Sequence, residues 1–165
     1  MRYRAGWLGL LTAALLSAAA PSQAQDFRRG LSAYNLGDYA ESLRQWQPLA
    51  EREDRDAQEG LGYLYFKGLG VAQDFAEAAD WFRRAAEHGQ PEAQLFLGML
   101  HYDGNGVRQS YLLAYKWCDL AQANGAAQAM PCREAAALRL SEAEIAESSR
   151  LVSEWFARHQ LPDDH

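Results

Sequence analysis

The chain has 165 residues, a length that points to one domain, and its formal net charge is −6. An acidic surface argues against nucleic acid or an anionic membrane as the partner. The four histidines have no metal-ligand spacing to one another or to a cysteine, so the sequence predicts no metal site.

The first 24 residues have the three-part layout of a secretory signal peptide. Arg2 and Arg4 form a positive segment, residues 6–20 are uncharged and mostly apolar, and small residues precede a cut before Gln25. The alternative is an uncleaved anchor, but the apolar run is shorter than the ~20 residues that span a bilayer. We therefore expect a periplasmic or secreted protein with no further membrane span, whose mature part has 14 basic and 22 acidic residues.

Residues 25–56 predict a first helical hairpin that forms a degenerate repeat. Helices are expected over 26–34 and 39–51, with a tight turn at Gly37-Asp38 between them. Apolar residues of the second helix recur at helical spacing and give one apolar stripe. The charged segment that follows, residues 52–56, is expected to be a solvated break.

Residues 57–92 and 93–126 are two copies of one unit, with 13 identities over 34 aligned positions. Two unrelated segments of this length would share roughly two or three identical positions by chance. The turns Gly68-Leu69-Gly70-Val71 and Gly104-Asn105-Gly106-Val107 lie 36 residues apart, and glycine suits the positive φ of a tight connection. A fixed period of this size predicts a helical solenoid, in which each unit buries its apolar face by stacking on the next.

Cap residues support the helix boundaries. Asp74 and Ser110 occupy the same place in the two copies, and both are good N-caps. Residues 127–160 predict a partial repeat without the glycine turn, followed by a capping helix that opens with a capping box at residues 141–144. Such a helix would cover the exposed end of the stack, and residues 161–165 are expected to fray.

The pattern of both copies resembles a known repeat. The first copy carries it through Ala57-Gln58, Leu61-Gly62, Tyr65, Gly68-Leu69-Gly70-Val71, Asp74, Ala78, Trp81-Phe82, Ala85-Ala86 and Gly89. The second carries it through Ala93-Gln94, Leu97-Gly98, Tyr102, Gly104, Gly106-Val107, Ala114, Trp117, Ala121 and Gly125. These residues resemble the Sel-one-like repeat of exported bacterial proteins, a relative of the tetratricopeptide repeat. The resemblance implies an all-α solenoid of antiparallel helix pairs and a scaffold for protein partners, with no common reaction.

Three positions depart from that pattern. Glu53 stands where a helix-ending glycine is expected, so an irregular turn is expected there. His101 replaces the tyrosine found at Tyr65 in the first copy and is expected to be packed or hydrogen-bonded. Met130-Pro131 interrupts the third unit, which leaves its boundary open.

The two cysteines lie symmetrically about a predicted turn. Cys118 lies seven residues before Gly125 and Cys132 lies seven after it, so the two would face each other on antiparallel helices. In an exported protein this arrangement favours a disulfide. The alternative is two separate buried thiols, since free cysteine is often a core residue.

By analogy with tetratricopeptide hairpins, the first helix of each unit would line a concave groove. Each unit offers an apolar residue and an aromatic residue three positions apart, on one side of that helix. Such a groove could hold a peptide through aromatic anchors, although the same residue types also build the core between repeats. The predicted groove residues are Leu31, Tyr34, Tyr63, Phe66, Met99 and Tyr102.

The function expected from the sequence is a scaffold that binds a peptide or an envelope protein, with no catalysis and no cofactor. The glycine pairs lack the strand and the lysine-serine of a phosphate-binding loop, so they are structural turns. One alternative is a periplasmic regulator of a membrane sensor. Another is a hydrolase resembling a β-lactamase, but the required Ser-x-x-Lys is absent.

Overall fold

The computed structural model describes residues 23–159, in which every regular element is an α-helix. Residues 1–22 of the predicted signal peptide and the predicted tail at 161–165 lie outside this range. The helices are α1 (Gln23–Asn35), α2 (Tyr39–Ala50), α3 (Arg55–Lys67), α4 (Phe75–Glu87), α5 (Pro91–Asp103), α6 (Tyr111–Ala123), α7 (Ala129–Ala137) and α8 (Glu142–His159).

Helices α1 to α6 stack as three hairpins in chain order, and α7 and α8 follow them. From α1 to α7 each helix packs on the next, and α8 packs back on α6. Helix α3 also contacts α5, and α5 contacts α7. These direct contacts between successive first helices place α3, α5 and α7 on the inner side of the stack. The predicted all-α solenoid of helix pairs is therefore confirmed.

Both glycine turns act as the elbows of their hairpins. Gly68 and Gly104 end α3 and α5 with φ of 68° and 76°, a left-handed conformation that glycine adopts without a Cβ clash. Gly70 and Gly106 also have positive φ. A Cβ on Gly106 would run into the backbone of Phe75, because the elbow of one repeat lies against the second helix of the repeat before it.

The turn at Glu53 is regular, so the expected irregularity is wrong. Glu53 has φ of 68°, and Gly89 and Gly125, at the same place in the next two units, have φ of 82° and 107°. The amide of Asp54 donates to the carbonyl of Leu49 over 3.1 Å, and the later two turns form the equivalent bond. Packing of the flanking helices therefore holds a glutamate in a conformation that usually requires glycine.

The predicted helix caps are present. Asp74 accepts two backbone N–H bonds at the start of α4, and Ser110 accepts one at the start of α6. Ser141 and Glu144 form the reciprocal bonds of a capping box. The charged segment at residues 52–56 is more than a solvated break, because Asp54 caps α3 and residues 55 and 56 belong to that helix.

Two buried glutamines, whose role the sequence did not reveal, join successive units. Gln58 and Gln94 lie 36 positions apart and are fully buried. Their side-chain amides donate to the carbonyls of Ala50 and Ala86 over 3.2 and 3.0 Å. Each glutamine thus gives a second hydrogen bond to a carbonyl at the end of the preceding helix, which also accepts from the backbone N–H of Glu53 or Gly89.

Met130 and Pro131 lie within α7 and do not interrupt it. Pro131 is the third residue of this helix, where a backbone N–H has no intrahelical acceptor, so proline is tolerated. The helix is short, and α8 follows it after a brief turn. Two α8 residues, Val152 and Trp155, belong to the largest buried cluster, which also contains residues of α4, α5 and α6. Helix α8 therefore covers the end of the stack, as a capping helix should.

Candidate functional site

Two cavities open on the side of the first helices. The first, of about 330 Å³, is here called the aromatic–acidic pocket, and it is lined by Phe27, Leu31, Tyr34, Trp46, Asp56, Glu59, Gly60, Tyr63, Glu92 and Phe96. The second, of about 360 Å³, is called the Met99 pocket, and it is lined by Leu95, Met99, Tyr102, Asp103, Gln128, Pro131, Cys132 and Ala135. Helix α5 contributes to both pockets and lies between them.

Five of the six predicted groove residues line these pockets. Leu31, Tyr34 and Tyr63 belong to the aromatic–acidic pocket, and Met99 and Tyr102 belong to the Met99 pocket. Leu31 and Met99 are 42% and 38% exposed, so each pocket presents an apolar side chain to solvent. The predicted set therefore falls into two neighbouring pockets.

Phe66, the sixth predicted residue, lines neither pocket. Its ring packs against Phe75, Phe82 and Phe96 with centroids 5.6, 6.3 and 5.2 Å away. Phe66 is half-buried at the edge of the largest buried cluster. The alternative interpretation of the stripe as core between repeats thus applies to Phe66, because its contacts are with neighbouring helices.

Trp46 forms the floor of the aromatic–acidic pocket. Its indole lies between Gly30 of α1 and Gly60 of α3, where an added Cβ would clash with the ring. The ring stacks on Phe27 with centroids 5.7 Å apart, and its N–H donates to the Phe27 carbonyl over 3.2 Å. Two glycines thus let three helices approach one large side chain, which gives the pocket a rigid aromatic base.

A row of aromatic contacts continues from this floor along the first helices. Tyr34 stacks on Trp46 at 6.0 Å and meets the edge of Tyr63 at 6.2 Å. Tyr63 in turn meets the edge of Phe96 at 5.8 Å. These offset and edge-to-face geometries are the favoured ones for aromatic pairs, so the rings hold each other in place.

Three carboxyl groups lie at the same pocket. Asp56 and Glu92 are exposed in the first turns of α3 and α5, and Glu59 is half-buried between them. Burial raises the pKa of Glu59 to about 7, and the nearby charges of Glu92 and Asp56 add to the rise. A hydrogen bond from the Ala93 backbone N–H opposes it. Glu92 thus belongs to a pocket with two other acidic groups.

The Met99 pocket is the same site one repeat later, with different chemistry. Leu95 and Met99 stand 36 positions after Glu59 and Tyr63, and Gln128 stands 36 positions after Glu92. The later pocket therefore has neutral side chains at the places of Glu59 and Glu92, while the counterpart of Asp56 is Glu92, which does not line it. Its one carboxyl group is Asp103.

The predicted disulfide is present and forms part of the wall of the Met99 pocket. Cys118 of α6 and Cys132 of α7 are bonded, with Cα atoms 5.9 Å apart. Cys118 is fully buried among Leu95, Ala121 and Ala129. The bond joins the last hairpins of the stack, so the alternative of two separate thiols does not hold for this structure.

The three histidines within residues 23–159 pack against or contact neighbouring groups. The Nδ1 of His101 lies 3.3 Å from the carbonyl of Arg108, as expected for a hydrogen-bonded residue, and burial lowers its pKa. His88 lies 3.2 Å from Glu53, and His159 stacks on Trp155. Between residues 23 and 159, no group of three potential metal-ligating residues lies close enough to hold an ion.

The sequence predicts only three of the ten residues that line the aromatic–acidic pocket. Phe27 and Trp46 were assigned to no site, and Phe96 was overlooked although it lies three residues before Met99. One signal was available: Glu59 is a charged residue at a position where the second repeat has Leu95. A difference of this kind between aligned repeats marks a position that packing alone does not explain.

A stack of helical hairpins with an open row of pockets on its inner helices defines a solenoid of the tetratricopeptide type. The model of the family described as Sel1 repeat matches residues 55–90 and 91–125. A Sel1 repeat protein from Oxalobacter formigenes is 31% identical, with a TM-score of 0.62 over 68% of this chain and 88% of that one. The chain belongs to the Sel1-repeat family.

A second solved structure is similar over most of the chain. It is a protective antigen present in uropathogenic Escherichia coli strains that displays an SLR fold, with 25% identity and a TM-score of 0.77. The match covers 87% of this chain, which spans about a third, 33%, of the length of that antigen. A search of curated proteins found no significant match.

Membership of the Sel1-repeat family indicates the general class of function. Sel1-repeat proteins are generally modules for protein interaction, and their fold is typically a non-catalytic scaffold. In the part of the chain from residue 23 to residue 159, no helix is long and apolar enough to cross a membrane.

Proposed function

We propose that this protein is an exported binding module that holds a segment of another envelope protein along its two pockets and carries out no reaction. The observation that carries the proposal is the row formed by the aromatic–acidic pocket and the Met99 pocket. Leu31 and Met99 are exposed beside half-buried tyrosines, which supply the aromatic anchors typical of interface hot spots. A partner segment laid along α1, α3, α5 and α7 would meet both pockets.

Site-directed photo-crosslinking tests this surface. A benzophenone amino acid is placed at Leu31 or Met99 in the full chain, in the cells that produce it, and crosslinked products are identified by mass spectrometry. We expect one protein to crosslink from both positions. Leu36 and Leu138, which are 82% and 87% exposed and line neither pocket, provide matched control positions. Equal crosslinking from the control positions, or none from Leu31 and Met99, would contradict the proposal.

A variant separates binding from folding. Leu31→Ala with Met99→Ala removes the two most exposed apolar groups of the pockets. We expect a benzophenone amino acid at a third pocket position, Tyr63, to lose the crosslinked partner in this double variant. Stability should change by less than about 1 kcal/mol, because exposed side chains contribute little to it. The matched control is Leu36→Ala with Leu138→Ala, which should keep the partner.

Two features support export to the cell envelope, and export can be tested separately from binding. The signal-peptide layout before Gln25 and the presence of a disulfide both fit an oxidising compartment. N-terminal sequencing of the protein purified from the periplasm should begin at Gln25. Recovery of the uncut chain from the cytoplasm, with both thiols free, would contradict export.

A further inference from the structure

The aromatic–acidic pocket has more acidic residues than the equivalent pocket of the next repeat. The Met99 pocket is its equivalent one repeat later and has Leu95 and Gln128 at the positions of Glu59 and Glu92. The fold is therefore compatible with neutral side chains at these places. Glu59 and Glu92 thus give the first pocket carboxyl groups at two places where its counterpart is neutral, which points to a role in recognition.

No cation within the described chain neutralises this set. Over residues 23–159, no basic side chain lies within ion-pair distance of Asp56, Glu59 or Glu92. Carboxylates elsewhere do find such partners, as in the 2.8 Å pair of Asp119 with Arg133. The pocket thus combines one half-buried and two exposed carboxyl groups with space for an incoming group.

The walls suit a flat cation. Aromatic faces attract cations through the ring quadrupole, and the attraction is stronger where water is excluded. The stacked rings of Phe27, Tyr34 and Trp46 form a base with three carboxyl groups beside it. A guanidinium group is planar, stacks on aromatic rings and binds carboxylates through its fork of N–H donors, whereas an ammonium is a strongly hydrated point charge.

We propose that the aromatic–acidic pocket receives an arginine side chain of the protein partner. This inference rests on the proposed function and names the chemistry that the partner must present. The aliphatic part of the side chain would lie against Leu31 and the tyrosines, and the guanidinium would lie between Glu59 and Glu92. The Met99 pocket, with its neutral positions, would hold an apolar side chain of the same segment.

A peptide with a neutral isostere tests the charge requirement. The probe is acetyl-Gly-Ser-Arg-Ser-Gly-amide, and its control carries citrulline, which has nearly the same shape without the charge. Both are titrated into the full chain, and the signals of the Trp46 indole and of Tyr34 and Tyr63 are followed by NMR. We expect saturable shifts from the arginine peptide and at least roughly fivefold weaker binding of the citrulline peptide. Equal binding of the two peptides, or no binding of either, would overturn the inference.

Variants test the location. Glu59→Gln with Glu92→Gln should weaken binding of the arginine peptide at least roughly fivefold, because both carboxylates are lost from the pocket. The charge-matched control is Glu134→Gln with Glu142→Gln, two exposed residues outside the pocket, and it should bind like the unaltered chain. An equal loss in both double variants would show a general effect of net charge and would overturn the assignment.

Failure of the inference is distinguishable from failure of the proposed function. Suppose that positions 31 and 99 still crosslink one partner while the arginine and citrulline peptides bind equally. The proposed function as a binding module then stands, and the inference that the pocket receives an arginine is wrong. If sedimentation shows a dimer that dissociates in the Glu59→Gln, Glu92→Gln variant, a second copy of this chain occupies the pocket. That result would overturn the inference as well.

Discussion

At the scale of single residues, Glu53 shows how packing can override a local preference. Its two counterparts in later repeats are Gly89 and Gly125, and all three have positive φ. A left-handed conformation costs a residue with a Cβ roughly 1–2 kcal/mol. The contact of Glu53 with His88 is between exposed side chains and offsets little of this cost.

Replacement of Glu53 by glycine should therefore stabilise the protein. We expect Glu53→Gly to raise the free energy of unfolding by about 1 kcal/mol, because strain is removed from the turn. Glu53→Ala is the matched control, since it removes the same side chain and keeps the Cβ, and it should show no gain. Urea denaturation measures both, and equal gains in the two variants would contradict the role of the backbone.

Glu59 should make stability depend on pH. Its pKa is 4.5 in ordinary surroundings and about 7 in the folded state, so the folded chain holds the proton more tightly than the unfolded one. When folding raises the pKa of a carboxyl group, the contribution of that group to the free energy of unfolding is greatest at low pH. This contribution falls as pH rises from about 4.5 to about 7. Asp56 and Glu92 add to this effect through repulsion.

Glu59→Gln should remove this dependence. Above pH 7 we expect the variant to be more stable than the unaltered chain by about 1–2 kcal/mol, after allowance for solvent screening of a half-buried group. Near pH 4 the two should be equally stable, because the glutamate is then neutral in both states. Urea midpoints measured from pH 4 to pH 8 give the difference, and a constant difference over this range would contradict the assignment.

At the scale of elements, the end of the stack depends on a covalent link. Helix α7 has only nine residues and lacks the glycine elbow of the earlier units. The Cys118–Cys132 bond ties it to α6 and closes a loop of 14 residues. A cross-link that closes a loop of this size restricts the unfolded chain and stabilises the fold by roughly 3 kcal/mol.

Reduction should therefore destabilise the protein by about this amount. We expect dithiothreitol to lower the free energy of unfolding by roughly 3 kcal/mol, with the largest loss of amide protection in α7. The variant Cys118→Ala with Cys132→Ala serves as control and should not respond to the reductant. Denaturation and hydrogen exchange measure these effects, and an unchanged midpoint after complete reduction would contradict them.

At the scale of the whole molecule, α8 replaces the missing next repeat. Trp155 is 4% exposed and belongs to the largest buried cluster, and its indole N–H donates to Glu87 of α4 over 3.2 Å. Ser148, also on α8, is fully buried and donates to the carbonyl of Leu112 over 2.9 Å. One helix thus closes the apolar surface that a further unit would cover in a longer array.

Removal of the Trp155 ring should expose apolar surface at the α8 end of the stack. We expect Trp155→Ala to lower the free energy of unfolding by about 3–5 kcal/mol, as for other large buried aromatic residues. Leu138→Ala, a change at an exposed position between α7 and α8, should stay within about 0.5 kcal/mol. Thermal and urea denaturation compare the two, and similar small losses in both would show that α8 is dispensable.

The repeat pattern by itself determined the solenoid. Glycine at residues 68 and 104, the caps at residues 74 and 110 and the 36-residue period act locally or between neighbouring units, so they can be recognised in the sequence. The pairing of Cys118 with Cys132 follows from the same regularity, since symmetric positions about a turn meet on antiparallel helices. Five of the six predicted groove residues line a pocket for this reason.

Only the tertiary structure decided what each pocket contains. Phe66 and Phe96 are both aromatic residues on first helices and pack against each other, yet only Phe96 lines the aromatic–acidic pocket. Glu53 adopts the glycine conformation because the flanking helices impose it. Asp56, Glu59 and Glu92 come together from two helices of different units, and neither helix alone shows that they meet. Such groupings depend on how one repeat is rotated and displaced against the next, and that geometry is set by packing across the whole stack.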